Sequence, residues 1–305
     1  MTQPLRTFVA AMLRRPVHPD VAAFARRIAQ DAGAQAVLFY GSNLRTGSLD
    51  GVLDFYVLLP GPQGERVWPR IGYREFRGSG GTMLRAKTAT LSLVQFARAA
   101  SGDTLDTTIW TRFVQPSALI WTDTHAAEAA VIDAVADAAR RAATLAAALG
   151  PVEGQGEEYW RALFQATYRA EFRVEAPGRE NSILSAHGAH FSAILPLAWQ
   201  AAGVGFASIG ENRYRVNVSD HRRAAVLRWW RVRRRAGRPL NILRLVKAAG
   251  TFDGAADYAA WKVRRHTGIA LDVTPFRRRH PVLSMPGAAL ELWRKKRRAA
   301  ADQRK

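Results

Sequence analysis

The chain has 305 residues, of which 48% are hydrophobic and 23% are charged. This composition is ordinary for a globular protein and excludes a wholly disordered chain. Forty-five Lys and Arg against 25 Asp and Glu give a net charge of +20. That charge predicts an anionic partner such as a nucleic acid, an anionic lipid or a phosphorylated substrate. The chain has no cysteine, which excludes disulfides and cysteine-ligated zinc.

The first 150 residues predict an α/β arrangement. Helices are expected over 21–32 and 125–149, and strands over 36–40, 52–59, 89–93 and 118–121. Gly33 is expected to end the first of these helices, and Gly150 with Pro151 to end the second. The segment 151–156 has the composition of a linker between domains, so we expect a domain over 1–150 with a mixed sheet and helices.

The rest of the chain predicts mostly helix. Helices are expected over 157–172, 182–202, 224–235, 240–249 and 257–267, with a last one from Pro286 toward the C-terminus. The segment 191–210 carries no charge and is about as long as a membrane span, but it contains Pro196, Gln200 and three glycines. A helix buried within the protein is the better interpretation. The fold class is therefore α+β, with a helical domain over 157–270 after the sheet domain.

The positive charge is concentrated in the last third. From Glu211 onward, 25 Lys and Arg face only 7 acids, so this part carries +18 of the total. Trp229 and Trp230 stand among many arginines, and Leu290, Leu292 and Trp293 precede five consecutive basic residues, 294–298. Apolar residues beside dense Lys and Arg are typical of helices that lie on anionic lipid. For 222–247 a charged face with its apolar stripe against the core is an equal alternative, whereas the tail over 271–305 predicts a basic amphipathic membrane helix.

A Gly-Ser pair and an aspartate indicate the chemistry. The strand over 36–40 ends in Tyr40 and runs into Gly41-Ser42, and Asp54 lies inside the next strand. A strand that ends in Gly-Ser lets backbone N–H groups and a hydroxyl approach a triphosphate. An aspartate on the adjacent strand can then hold Mg²⁺ against the same phosphates. On these residues alone, a salt-bridged structural aspartate is the alternative.

Several short segments extend this pattern in a fixed order. They are Tyr40-Gly41-Ser42, Leu53-Asp54-Phe55 and the segments 87–93, 110–116, 168–173 and 189–191. Taken together they cover about residues 35–200 and resemble the mitochondrial-type CTP:phosphatidate cytidylyltransferases, the translocator assembly and maintenance family. That family belongs to the polymerase-β-type nucleotidyltransferase superfamily, so the resemblance implies that the domain over 1–150 has a nucleotidyltransferase-like mixed sheet.

The resemblance implies an activity and a set of site residues. CTP and phosphatidic acid would react to give CDP-diacylglycerol and pyrophosphate, with Mg²⁺ as cofactor. Tyr40, Gly41 and Ser42 would contact the nucleotide, Asp54 would bind Mg²⁺, and catalytic Lys87, Arg112 and Arg173 would lie near phosphates. The third metal ligand is unassigned, with Glu171 as a candidate. The protein would be cytoplasmic and peripheral on the inner face of a membrane, on the matrix side if mitochondrial, with its tail on anionic lipid.

Two other functions remain open. A nucleotidyltransferase acting on RNA or another phosphorylated acceptor would turn over CTP without lipid. A non-catalytic basic protein that binds membrane or nucleic acid is supported by Val52, which stands where the superfamily has the first acid of an acid-x-acid pair. Nucleic acid is disfavoured as a partner because the chain contains no recognised nucleic-acid motif.

Overall fold

The computed structural model describes residues 3–171, 179–251, 253–267 and 271–279, together with Ser284, Gly287, Glu291 and Lys295. It confirms the α+β class, with a mixed five-stranded sheet, packed helices and a helical C-terminal region. No helix in these ranges is long and apolar enough to cross a membrane.

The elements alternate in the first half of the chain and are mainly helical in the second. Up to residue 150 they are α1 (Gln3–Leu13), α2 (Pro19–Ala32), β1 (Ala36–Tyr40), α3 (Ser42–Thr46), β2 (Leu53–Leu59), β3 (Arg70–Arg77), β4 (Met83–Ser92), α4 (Leu93–Ala100), α5 (Thr108–Phe113), β5 (Ser117–Thr122) and α6 (His125–Leu149). They continue as β6 (Glu153–Gln155), α7 (Gly156–Ala170), α8 (Arg179–Ala186), α9 (Gly188–Ala201), β7 (Gly205–Gly210), β8 (Arg213–Asn217), α10 (Asp220–Thr251), α11 (Ala255–Thr267) and α12 (Pro275–Arg279).

The larger sheet has the strand order β3-β4-β2-β1-β5. Strands β2 and β4 are parallel, and the other neighbouring pairs are antiparallel. The two central strands β1 and β2 are buried apolar runs, because helices cover both of their faces. Leu38 and Tyr56 point into the larger hydrophobic core, and Val37 and Phe55 point into a smaller core with α2.

The larger core joins the two halves of the chain. It contains most of the buried face of α6 together with Tyr159, Trp160 and Trp199 from the second half. A second, three-stranded sheet has the order β6-β8-β7, and its strand β6 lies within the segment expected to be a linker. That segment is therefore part of a sheet, while the division into domains at residue 150 stays a prediction.

Several elements differ from their predictions. The expected helix over 182–202 is two helices, α8 and α9, and the charge-free segment continues as β7 after Gly203 adopts a left-handed conformation. The two helices expected over 224–235 and 240–249 are one helix, α10, which contains Pro239. The helix expected from Pro286 lies largely outside the described residues, although Gly287, Glu291 and Lys295 are helical.

Candidate functional site

Three of the expected site residues form a row across the larger sheet. In the register, Tyr40 of β1 pairs with Asp54 of β2, and Asp54 pairs with Lys87 of β4. Side chains paired in register across neighbouring strands lie on the same face of a sheet. The row therefore places a carboxylate between an aromatic ring and an ammonium group, next to the turn that follows Tyr40.

Gly41 lies against the Asp54 carboxylate. Its φ of +92° is a conformation that side chains with a Cβ rarely adopt, and a Cβ built on it would lie 3.1 Å from Asp54 Oδ2. Gly41 is the N-cap residue of α3 and has no side chain to cap the helix, so the first N–H groups of this short helix have no acceptor within it. Both Gly41 and Ser42 are exposed, which leaves their backbone accessible to a ligand beside Asp54.

The buried side chain of Asn43 holds the loop that links α3 to β2. Its Nδ2 donates to the carbonyl oxygen of Ser48 at 2.9 Å and to that of Asp50 at 2.7 Å. The Ser42 hydroxyl lies 3.4 Å from Asn43 Oδ1. This anchoring fixes the Gly-Ser turn relative to β2. The side chain of Asp50 itself is exposed to solvent.

Arg112 extends from α5 over the same row. Its Nη1 donates to the Tyr56 hydroxyl at 2.6 Å, and its guanidinium carbon lies 5.1 Å from the ring centre of Tyr40. Burial acts to lower the pKa of Arg112, but Tyr56, Tyr40, Glu171 and Asp54 outweigh it and raise that pKa. Arg112 therefore stays charged and is held by two tyrosines beside the carboxylate.

The electrostatics of the row are dominated by cations. Burial raises the pKa of Asp54, and the charges of Lys87 and Arg112 oppose that rise. Burial lowers the pKa of Lys87, Asp54 opposes this, and Arg112 and Lys262 lower it further. The two carboxylates of Asp54 and Glu171 are outnumbered by the three cations, which leaves an excess of positive charge that suits a phosphate ligand.

Two residues near the site, Tyr56 and Lys262, had no local sequence signal as ligands, whereas Glu171 lies in the resembling segment 168–173 and was a candidate third metal ligand. Tyr56 looked like one more apolar strand residue, yet its hydroxyl holds Arg112. Glu171, only 4% exposed, accepts a hydrogen bond of 2.8 Å from the Thr107 hydroxyl and contributes to the field at Arg112. Lys262 comes from α11, within the basic last third. Its neighbour Arg265 comes within 3.3 Å of the position that a Cβ on Gly51 would take.

The resemblance implies Mg²⁺ on Asp54, and the residues present fit that ion if substrate phosphates supply further ligands. Magnesium is commonly held by one or two carboxylates together with substrate phosphates. The Asp54 carboxylate, beside the exposed Gly-Ser backbone, can supply the protein's share of such a site. Across the part of the chain that the structure describes, no group of three or more His, Cys, Asp or Glu side chains could hold a metal by itself.

The structure thus brings together Tyr40, Gly41, Ser42, Asp54, Lys87 and Arg112. Arg173, the remaining residue expected at the site, lies outside the described residues. The assembled groups can bind phosphates through backbone N–H groups and cations, and can share a metal ion through one carboxylate. Comparison with known protein families and with curated proteins finds no match for this sequence.

Proposed function

We propose that this protein is a nucleotidyltransferase that moves a cytidylyl group from CTP onto phosphatidic acid. The observation that carries the proposal is the approach of the Gly41 backbone to Asp54, with Lys87 and Arg112 beside them. A Gly-Ser turn at the end of one strand, facing an aspartate on the next, can bind the phosphates of a nucleoside triphosphate together with its metal.

The reaction would join two anions. A phosphate oxygen of phosphatidic acid would attack the α-phosphorus of CTP, and the bond between the α- and β-phosphates would break to release pyrophosphate. A phosphomonoester oxygen is already nucleophilic at neutral pH, so orientation and charge neutralisation matter more than a strong general base. The cations of the site are suited to that task.

Each group has a role that its surroundings support. The exposed backbone of Gly41 and Ser42 would bind CTP phosphates, and Arg112, kept charged by its neighbours, would neutralise charge that develops on them. Lys87 would hold the phosphate of the acceptor against that of the donor. When bound, Mg²⁺ would neutralise phosphate charge, and Asp54 is the residue that would hold it.

The choice of CTP and phosphatidic acid rests on the ordered resemblance described above. The same resemblance places the protein at a membrane, peripheral on the inner face or on the matrix side in a mitochondrion, where phosphatidic acid resides. The basic tail over 271–305 would supply contact with anionic lipid.

The test is incubation of the full-length protein with labelled CTP, Mg²⁺ and vesicles that contain phosphatidic acid. Formation of labelled CDP-diacylglycerol with release of pyrophosphate is the expected result. Product that forms only with another nucleoside triphosphate would correct the donor. The absence of any nucleotidyl transfer to lipid, by a folded protein that binds the vesicles, would reject the proposed reaction.

A second acceptor class is supported by the exposed cations. Lys262 is exposed near Lys87, and five arginines of α10 are exposed in the same C-terminal region, namely Arg228, Arg231, Arg234, Arg235 and Arg238. Such cations also suit RNA or another phosphorylated acceptor. Transfer from CTP to RNA in the absence of lipid would favour this function over the first.

A further inference from the structure

The second half of α10 turns its cations toward the protein. Arg244 donates from Nε to the carbonyl oxygen of Trp68 at 2.7 Å and forms an ion pair of 2.5 Å with the buried carboxylate of Asp106. Three residues on, Lys247 contacts the Glu65 carboxylate and the carbonyl oxygen of Val67. The inner face of this half is therefore polar and is tied to the rest of the protein by charge.

The outer face of the same half is apolar. Ile242, Leu243, Leu245 and Val246 are all exposed, and Val246 is 67% exposed. A helix on the surface of a globular protein normally has the opposite arrangement, with its apolar stripe against the core and its charges in water. Five of the ten large apolar side chains that are exposed within the described residues lie on α10, the fifth being Val232. In this half of α10 the polar and apolar faces are therefore exchanged relative to an ordinary surface helix.

The first half of α10 continues the outer face with positive charge. At about 100° per residue, the exposed arginines of this half share one side of the helix with the exposed aliphatic residues. These arginines are Arg228, Arg231, Arg234, Arg235 and Arg238. The opposite side carries Trp230, which is 4% exposed and packs edge-on against Trp110. The outer face of residues 228–246 is thus about 27 Å long, basic at one end and apolar at the other.

We propose that this outer face is a docking surface for an anionic lipid bilayer. Aliphatic side chains gain free energy by leaving water for the acyl region, and arginines gain it from lipid phosphates at the headgroup level. Neither a nucleic acid nor a second copy of the protein would contact both the basic and the apolar half of this face favourably. A nucleic acid backbone would pair with the arginines and leave four aliphatic side chains unused. A second copy of the helix would set arginine against arginine or against aliphatic residues.

This surface is distinct from the tail and does not depend on the reaction. Its test uses the full-length protein without nucleotide, mixed with vesicles of phosphatidylcholine alone or with phosphatidylserine, and measures co-sedimentation. The key variant is Val246→Glu, and its matched control is Val152→Glu, since Val152 is 64% exposed on another part of the surface. Both positions are in water in the free protein, so both variants should fold.

The wild-type protein and Val152→Glu are expected to bind vesicles equally, with stronger binding when phosphatidylserine is present. Val246→Glu should bind about tenfold more weakly, because a valine side chain no longer enters the apolar layer and a charge takes its place. Arg231→Ala should weaken binding to the anionic vesicles about fivefold, and Arg26→Ala, an exposed arginine on α2, should not.

Three results would overturn the assignment. Vesicle binding by Val246→Glu equal to that of the wild type would show that the apolar half does not enter lipid. A wild-type dimer that Val246→Glu converts to monomer in sedimentation velocity, with vesicle binding unchanged, would identify the face as a self-association surface. Binding of an RNA oligonucleotide that Arg231→Ala weakens, together with vesicle binding that it leaves unchanged, would assign the arginines to nucleic acid.

Discussion

Lys87 is the register partner of Asp54 across the parallel strands β2 and β4, and each charge acts on the other. Burial raises the pKa of Asp54 and lowers the pKa of Lys87, and their mutual attraction opposes both shifts. Asp54 is half-buried, whereas the Lys87 side chain also reaches solvent, so the Asp54 charge depends on its neighbouring cations more than the Lys87 charge depends on Asp54. A bound phosphate or metal ion would directly change the electrostatic interaction between Asp54 and Lys87. Substitution of either residue is therefore expected to affect ligand binding.

Asp54→Asn should remove turnover while leaving the fold intact. Loss of a metal-binding carboxylate is expected to lower the rate by about 10²-fold or more. Because the pKa of Asp54 is raised in the folded protein, its ionised form is disfavoured there at neutral pH. The neutral amide should therefore unfold at the same temperature as the wild type or higher, which thermal unfolding followed by circular dichroism measures.

Asp50→Asn is the control for this substitution. Asp50 is exposed and close to Asp54 in sequence, so its neutralisation changes the net charge by the same amount. It should keep turnover near that of the wild type. If Asp54→Asn stays active while folded, or if Asp50→Asn is the variant that loses activity, the metal-binding role belongs elsewhere.

Tyr56→Phe should lower turnover without unfolding the protein. The Tyr56 hydroxyl accepts a hydrogen bond from Arg112 at 2.6 Å, and a hydrogen bond to a charged group contributes about 1.5–3 kcal/mol. Without it, Arg112 loses the contact that aims it at the site, so kcat should fall about tenfold. Steady-state kinetics with CTP and phosphatidate vesicles measures the change.

Tyr159→Phe is the control that separates the positioning of Arg112 by Tyr56 from a general loss of stability. The Tyr159 hydroxyl is also buried, and it donates to the carbonyl oxygen of Tyr214 at 3.1 Å, away from the site. Both variants should lose about 1–3 kcal/mol of unfolding free energy, because each leaves a buried group without its partner. Equal kinetic losses in the two variants would mean that Tyr56 acts only through stability.

Lys262→Ala should weaken the binding of phosphate-bearing substrates. Lys262 is exposed on α11 and its charge lowers the pKa of Lys87, so both cations act on the same space. An exposed cation contributes up to about 1 kcal/mol, so the KM for CTP or for phosphatidate should rise about threefold to fivefold. The rise should shrink at high salt. Arg264→Ala, an exposed cation on the same helix, should leave both KM values unchanged.

Local sequence patterns were sufficient to predict the central strand β1 and the long helix α6. Strand β1 over Ala36–Tyr40 and helix α6 over His125–Leu149 have the predicted bounds, since a short apolar run and a long alanine-rich tract each favour one structure. Strand β3 was not predicted because Arg70–Arg77 carries four charges along the edge of the sheet. Edge strands are commonly charged in this way, which removes the apolar run that marks a strand.

Tertiary contacts explain the secondary structure that the sequence pattern did not predict. Two helices were expected over 224–235 and 240–249, yet α10 is continuous through Gly237 and Pro239 between them. A Cβ at Gly237 would lie 2.5 Å from the carbonyl oxygen of Ala170, so this glycine allows α10 to pack closely on the end of α7. Trp229 and Trp230 were weighed as lipid contacts, but the core covers Trp230 and Trp229 packs near Trp110.

The site was predictable where its residues followed strand ends. Gly41, Ser42 and Asp54 could be placed together because consecutive strands are commonly neighbours in a sheet. Lys262 could not be placed, since α11 is far from these residues in the chain and only tertiary packing brings it near Lys87. The hydroxyl of Tyr56 could not be distinguished in sequence from the apolar side chains beside it.

His190 should make the stability of the protein depend on pH. Its Nε2 lies 2.8 Å from the carbonyl oxygen of Val114 and donates to it, and its ring contacts Phe191, as expected for a satisfied histidine rather than a ligand. Burial lowers the pKa of His190 to about 4. The unfolded chain binds a proton near pH 6.5 and the folded chain does not, so unfolding free energy should fall as pH drops from about 6.5 to about 4.

The measurement compares urea unfolding of the wild type and His190→Gln over that pH range. Each pKa unit corresponds to about 1.4 kcal/mol, so the difference between the two proteins should change by up to about 3 kcal/mol. Glutamine can still donate to the Val114 carbonyl but does not titrate. Parallel pH profiles for the two proteins would mean that His190 is protonated with its ordinary pKa.

Deletion of residues 286–305 should weaken binding to anionic vesicles but leave CTP binding unchanged. Most of this tail lies outside the described residues, so the expectation comes from its sequence, in which five consecutive basic residues follow Leu290, Leu292 and Trp293. Each basic residue near an anionic surface contributes about 1 kcal/mol before screening. The part of this binding that the basic residues supply should therefore be strong at low salt and small at physiological salt, whereas Leu290, Leu292 and Trp293 should add a smaller part that salt does not screen. Binding that persists in the deletion variant at higher salt should disappear with Val246→Glu, because apolar insertion by α10 is not screened by ions. Co-sedimentation at two salt concentrations, with the single variants and the combination, separates the two surfaces. If the deletion variant sediments as well as the full chain at low salt, the tail takes no part in the membrane contact.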